Sequence, residues 1–276
     1  MRGYTLRAAE LAGVLAGLLT SVALLIAGCA LLGVAAGGGG GAAVAIVLAA
    51  LLVAVVFAGC DRLALSAMLA RPVGEVEHPE LYRLVRELSK DGRLPVPRLY
   101  LSPADQPNAF AVGRGPRSAA ICCTEGLLRV LDEAELRAVL GHELAHVAGR
   151  DVLVSSVSAG LATVITFPAS LARFARSGPV DSGSGLGSAE NLLMLVFGPV
   201  AAVIVRLAIS GEREYRADTA GALLSGDPVA LASALRKIDA GTAELALAPD
   251  GRRLAVGHLM IACPFRPEGL KGRLPA

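Results

Sequence analysis

Tryptophan is absent from this 276-residue chain, Phe and Tyr together make up only 4% of it, and Lys, Arg, Asp and Glu reach just 18%. The net charge of +2 is near neutral, and no run of Lys and Arg interleaved with aromatics occurs, so nucleic acid is set aside as a partner. The five cysteines are odd in number and none has CxxC spacing, which excludes a disulfide framework and a zinc knuckle. Cys29 and Cys60 fall in apolar runs, and Cys122 and Cys123 are adjacent in an expected strand. All five read as small buried residues, and the compartment facing the polar part of the chain is expected to be reducing. What is there instead is apolar: 54% of the residues are hydrophobic, too many for an ordinary soluble domain. A lipid bilayer is the expected partner.

Residues 11–36 carry no charge and exceed the roughly 20 residues that an α-helix needs to cross a bilayer. Five glycines, 37–41, then make a turn, and residues 42–60 form a second uncharged span closed by Asp61 and Arg62. Residues 1–70 are thus expected to be a transmembrane helical hairpin. The apolar core of the first span is about twice the 7–15 residues of a signal peptide, which favours a retained anchor. Arg2 and Arg7 precede the hairpin while Arg62 and Arg71 follow it, so the positive-inside rule puts both ends in the cytoplasm.

Residues 71–276 read as one polar domain interrupted by two weaker apolar segments, 152–172 and 192–209. These are expected to cross the membrane, with core helices of the polar domain as the alternative. Before them, "HPELYRLVRELSKDG" spaces Leu81, Leu84, Val85 and Leu88 as one stripe of an amphipathic helix stopped by Gly92. "PRLYL", "NAFAVG" and "SAAICC" are strand-like, with "GRGPR" turning the second into the third, so a small sheet with a hairpin is expected. Asp132 and Glu135 form a capping-box start, and the helix that follows runs to Gly149. After the second apolar segment, "GEREYRADTAG" and "PVALASALRKID" are again helical in pattern, and no internal repeat is evident.

Within that helix, "GHELAHVAGRD" places His142 and His146 four apart, on one face, with Glu143 beside His142. Two imidazoles at this spacing can hold a zinc ion, and Glu143 can act as the base that takes a proton from water. The pattern is short enough to arise by chance on a packed helix; Leu136, Leu140, Leu144 and Val147 show that this helix is packed, and unpaired histidines there would be costly. A third ligand must come from elsewhere. Glu214 and Asp218, one turn apart with Ala217 and Gly221 as low-profile neighbours, suit a second helix, although Glu212, Arg213, Glu214 and Arg216 also read as a solvated charged face. Asp218 is then placed to accept the other N–H of a ligand histidine. Glu214 can meet His142 only if the intervening chain crosses the membrane an even number of times or not at all.

In combination and order, the hairpin, "HPELYRLVRELSKDGRLPVPRLYL", "PNAFAVG", "LGHELAHVAGRD" and "GEREYRADTAGA" resemble the HtpX-type membrane metalloproteases, which are related to the type I CAAX prenyl endopeptidases. The resemblance implies an α-helical membrane protein with two to four transmembrane helices and a mainly helical α+β, zincin-like metalloprotease domain carrying a small sheet. It implies one zinc ion held by His142, His146 and Glu214, with Glu143 as general base and Asp218 one turn after the glutamate ligand. It further implies that Asn108, Ala109, Phe110 and Ala111 form the strand beside the cleft, where a substrate peptide adds by main-chain pairing.

The expected activity is hydrolysis of peptide bonds in misfolded or damaged membrane proteins, at a site facing the bacterial cytoplasm. One departure stands against it. The family usually continues into a His-Pro segment followed by an arginine that stabilises the oxyanion, and this chain stops at Ala276 without reaching it. Arg266 and Arg273 read as a solvated tail rather than substitutes, and His258 lacks a partner at metal-binding spacing. A truncated or weakly active protease is one expectation. A non-catalytic zinc-binding scaffold in the membrane is the alternative. A transporter has little support, because the ionisable cluster lies outside the clear spans.

Overall fold

The computed structural model describes residues 8–161, 211–247, 253 and 256–265. The first helix, α1 (Ala8–Ala67), is broken at its glycines: Gly37 (φ −157°, ψ 22°) and Gly38 (φ 62°, ψ −148°) leave helical geometry. The chain reverses there so tightly that a Cβ on Gly33 would lie 2.5 Å from the Gly41 carbonyl oxygen. Only glycine tolerates both the left-handed residue and this approach. Two helical arms therefore meet at the expected glycine turn.

Among the described residues, Gly37–Ala67 is the one helix long and apolar enough to cross a membrane. Val44, Val47, Leu48, Leu51, Val55 and Phe57 on it are exposed, as a lipid-facing surface requires. It does not end at Asp61 and Arg62 but runs on to Ala67. The reason is docking: Asp61 pairs with Arg98 at 3.0 Å, and Ala64, Leu65 and Met68 are buried against the sheet. Ser102 Oγ also donates to the Met68 carbonyl at 2.6 Å. A charge that would stop a helix in lipid is here matched by protein.

The sheet has four strands, β1 (Arg71–Pro72), β2 (Arg98–Ser102), β3 (Ala109–Val112) and β4 (Ala120–Thr124), in the order β1-β2-β4-β3. Strands β3 and β4 are the expected hairpin, antiparallel with Ala109 opposite Cys123 and Val112 opposite Ala120, while β2 and β4 run parallel. Alternation along the strands separates two cores. Leu99, Leu101, Ile121 and Cys123 face one of them with α2 (Pro79–Gly92) and α4 (Glu133–Gly149); Phe110, Val112, Ala120 and Cys122 face the other with the end of α1.

Helix α2 buries Leu81, Leu84, Val85 and Leu88 as its spacing predicts. Its last helical residue is Gly92, yet Arg93 takes the left-handed cap (φ 53°), and after α4 Arg150 does the same (φ 62°) behind Gly149. A short α3 (Glu125–Val130) leads to α4, whose capping box is formed on both sides: Glu135 N–H donates to Asp132 Oδ1 at 2.9 Å, and Asp132 N–H to Glu135 Oε2 at 3.1 Å. Next comes α5 (Asp151–Leu161), which packs on α1 closely enough that a Cβ on Gly160 would lie 2.6 Å from Val56 Cγ1. The start of the expected apolar segment 152–172 is thus buried helix, with Val152, Val154, Val157 and Leu161 inside; residues 162–172 and all of 192–209 lie outside the described residues. Helices α6 (Gly211–Ser225) and α7 (Pro228–Glu244) pack on α4.

Glu135 also ties α7 to α4, accepting from Ser233 Oγ and Lys237 Nζ, each at 2.7 Å. Burial disfavours its charge, but these donors and the Asp132 N–H prevail and hold the carboxyl below its usual range. A depressed folded-state pKa gives stability that is complete above the unfolded value of about 4.3 and is lost as pH falls through the folded value. Glu135→Ala is expected to cost about 1–2 kcal/mol at neutral pH, and less at acid pH, in denaturant unfolding of the detergent-solubilised chain.

Candidate functional site

Helices α4 and α6 cross where neither has a side chain. A Cβ on Gly141 would lie 3.0 Å from the Gly221 carbonyl oxygen, and a Cβ on Gly221 would lie 2.7 Å from His142 Cα and N. This contact brings α6 against the "HELAH" turn of α4. Glu214 and Asp218, one turn apart, then reach the two histidines.

His142 Nε2 and His146 Nε2 are 3.2 Å apart, and Glu214 Oε2 lies 3.8 Å from the first and 3.6 Å from the second. Bonds of 2.0–2.1 Å to a tetrahedral zinc ion would separate ligand atoms by roughly 3.3 Å, so the three side chains fit such an ion. Among the described residues they are the one group of three or more His, Cys, Asp or Glu side chains placed to share a metal.

Each histidine has a carboxylate behind it. His146 Nδ1 lies 3.3 Å from Asp151 Oδ2 in hydrogen-bonding geometry. His142 Nδ1 lies 3.0 Å from Asp218 Oδ1, close enough for ion pairing but out of line for a hydrogen bond. Burial opposes a charge on His146, yet the Asp151 and Glu214 hydrogen bonds and the Glu143 charge outweigh it and push the imidazole up to about 10. The Glu214 side chain is half exposed; partial desolvation opposes its charge, but the His146 hydrogen bond and the charges of both histidines more than offset it and hold this carboxyl below its usual range. The side chains by themselves therefore retain a proton where a cation fits.

Glu143 is buried, 2% exposed, and lines the same cavity. Desolvation raises its carboxyl pKa, against the opposing pull of His142, His146 and a hydrogen bond from the Ala111 main chain. A carboxylate moved toward neutrality beside a metal site suits a group that takes up and releases a proton.

The strand residues divide. Ala111 lines the cavity. Asn108 is fully buried and its side chain is engaged by the chain's own C-terminal segment, donating from Nδ2 to the Ala262 carbonyl at 2.8 Å. The Ala109 carbonyl accepts the Ile261 N–H at 3.2 Å, and Phe110 faces the core away from the cavity. Gln106 helps to fix the same segment, donating to the Pro264 carbonyl at 3.0 Å. His258, Leu259, Met260 and Ile261 thereby form a wall of the metal cavity, with His258 Nε2 3.4 Å from the Ser155 carbonyl oxygen.

Two contributors escaped sequence reasoning. Asp151 stands five residues after His146, beyond the helix end, and only the left-handed turn at Arg150 returns its carboxylate to the imidazole. The C-terminal wall meets the site through pairing with β3, which no local pattern announces. The solvated-face reading of residues 212–216 holds for Glu212 but not for Arg213, which is buried under the electrostatic influence of Asp151 and Glu214. Arg266 and Arg273 lie outside the described residues.

Two substitutions test this construction. Gly221→Ala is expected to force the helices apart, lowering stability by about 1–3 kcal/mol and weakening metal binding in titration. Asp151→Asn keeps the shape but removes the charge behind His146, and should weaken metal binding by about 10–100-fold with the fold intact by circular dichroism.

Comparison with known proteins agrees with this geometry. Residues 75–261 match peptidase family M48. A protease HtpX homolog of Kineococcus radiotolerans is 53% identical over 218 residues, 75% of this chain and 72% of that protein. The homolog of Bifidobacterium longum is 46% identical, covering 76% and 69%, and that of Aquifex aeolicus is 40% identical, covering 79% and 77%. No solved structure matches the chain. Since the matched stretch holds both histidines, Glu143, Glu214 and the wall that closes on them, the chain belongs to peptidase family M48, as an HtpX-like protease.

Proposed function

We propose that the chain is a zinc-dependent endopeptidase of the bacterial cytoplasmic membrane that cuts misfolded or damaged membrane proteins at a site facing the cytoplasm. The observation that carries this reading is the convergence of His142, His146 and Glu214 on one point, with buried Glu143 in the same cavity. A membrane-associated metalloprotease is supported independently by the family match and the relatives' name. The cytoplasmic orientation rests on the arginines flanking the hairpin.

His142, His146 and Glu214 would hold the zinc ion, which when bound polarises the scissile carbonyl and acidifies water. Glu143 would take a proton from water on a carboxylate oxygen, and its raised pKa would help it keep that proton until the leaving amine receives it. Asp151 holds the His146 imidazole in orientation through its hydrogen bond, and Asp218 places a carboxylate 3.0 Å behind the His142 imidazole.

A substrate strand is proposed to pair along β3 at Ala111, since the Ala109 carbonyl and the Asn108 side chain are taken by residues 261 and 262. Leu259, Met260, Ile261 and Val152 add apolar side chains to a cavity that is otherwise lined mainly by polar groups. Among the described residues His142, His146, Glu143 and Glu214 all line one cavity, which supports a catalytic site over a non-catalytic scaffold.

Zinc content and cleavage of an unfolded membrane protein, measured on this chain, Glu143→Gln and Glu214→Ala, test the proposal. One zinc per chain is expected in the parent and in Glu143→Gln. Cleavage is expected to fall by two or more orders of magnitude in Glu143→Gln, the scale of a general base, while Glu214→Ala loses both metal and activity. Bound zinc without cleavage in the parent would sink the enzyme reading in favour of the scaffold.

A further inference from the structure

The arginines of this domain are mostly matched: Arg71, Arg83, Arg86, Arg98, Arg129 and Arg137 each pair with a carboxylate. Arg93, Arg114, Arg117 and Arg150 are exposed and have no carboxylate partner among the described residues, and all four line one cleft away from the metal cavity. They come from three separate places: the left-handed cap of α2, the β3–β4 turn, and the left-handed cap of α4. Helix dipoles favour a cation at the two caps, but no such field accounts for Arg114 and Arg117 on the turn. Four guanidinium groups around one cleft repel one another unless an anion with several acceptor oxygens lies between them.

The position of the cleft says which anion. Arg98 Nη2 donates both to the Ser118 carbonyl of the β3–β4 turn, at 3.2 Å, and to Asp61 of α1, at 3.0 Å. Ser118 lines the cleft, and Asp61, the first charge of the second arm of α1, follows within about one turn of Phe57, the last exposed large hydrophobic residue before it. The basic cleft is therefore fastened to the point where the lipid-facing surface of α1 gives way to protein. Phospholipid phosphates lie at that level when α1 spans a bilayer.

We propose that this cleft binds the phosphate headgroup of anionic phospholipids and holds the protease domain against the cytoplasmic leaflet. The inference goes beyond the metal site and rests on α1 lying in the bilayer. Arg150 joins the two, because the next residue, Asp151, pairs with His146.

The test is native mass spectrometry of the full detergent-solubilised chain, delipidated and then offered an equal mixture of phosphatidylglycerol and phosphatidylcholine. The chain is expected to retain phosphatidylglycerol about tenfold over phosphatidylcholine, and Arg114→Gln/Arg117→Gln to lose most of that preference. Arg83→Gln/Arg129→Gln, which removes the same charge from paired positions elsewhere, should keep it. Equal retention of the two lipids, or an unchanged preference in Arg114→Gln/Arg117→Gln, overturns the proposal. Displacement of phosphatidylglycerol by millimolar inorganic phosphate also overturns it, in favour of a free-anion site. Carbonate extraction of cell membranes separates the premises: a chain that stays in the membrane without lipid preference defeats the cleft alone, and a chain that is extracted defeats the membrane reading as well.

Discussion

The side-chain-free crossing of α4 and α6 at Gly141 and Gly221 is the contact on which the site depends. Glu214 follows His146 by 68 residues and His142 by 72 in sequence, and it reaches them only because the two backbones touch. A larger residue at either glycine would have to move a whole helix, since the atoms it meets are main chain. The polar cluster and this close helix crossing are one feature.

Charge explains why that packing is worth keeping. Asp151, Asp218, Glu143 and Glu214 surround two imidazoles, and the raised pKa of His146 expresses the excess of negative charge. A divalent cation would balance the cluster, and the same carboxylates that demand it also orient the rings that would bind it. Because metal and proton compete for the same nitrogens, zinc affinity in such a cluster is tied to pH.

The apolar helix is not a mere tether. Its last two turns enter the domain, close one face of the sheet and carry Asp61 to Arg98. On the opposite side of the chain, residues 256–265 lie along β3, held by Gln106 and Asn108, and bring His258 to the cavity. The end of α1 thus supports the sheet from one face, while the later segment walls the site itself.

Local spacing was enough to establish the hairpin with its glycine break, the α2 stripe, the β3–β4 hairpin, the capping box at Asp132 and Glu135, and the pairing of His142 with His146 on one face. Each is a relation among residues a few positions apart, and the backbone periodicities of helix and strand translate such spacing directly into geometry. The choice of Glu214 was also legible, because a carboxylate one turn before Asp218 and beside small residues suits a close helix crossing. Tertiary structure alone decided the rest. That α1 continues past Asp61 depends on Arg98; that Asp151 orients His146 depends on the turn at Arg150; and that Asn108 holds Ala262 depends on a segment 154 positions later. These contacts join groups whose separation along the chain carries no period, so only the folded packing of the whole domain brings them together.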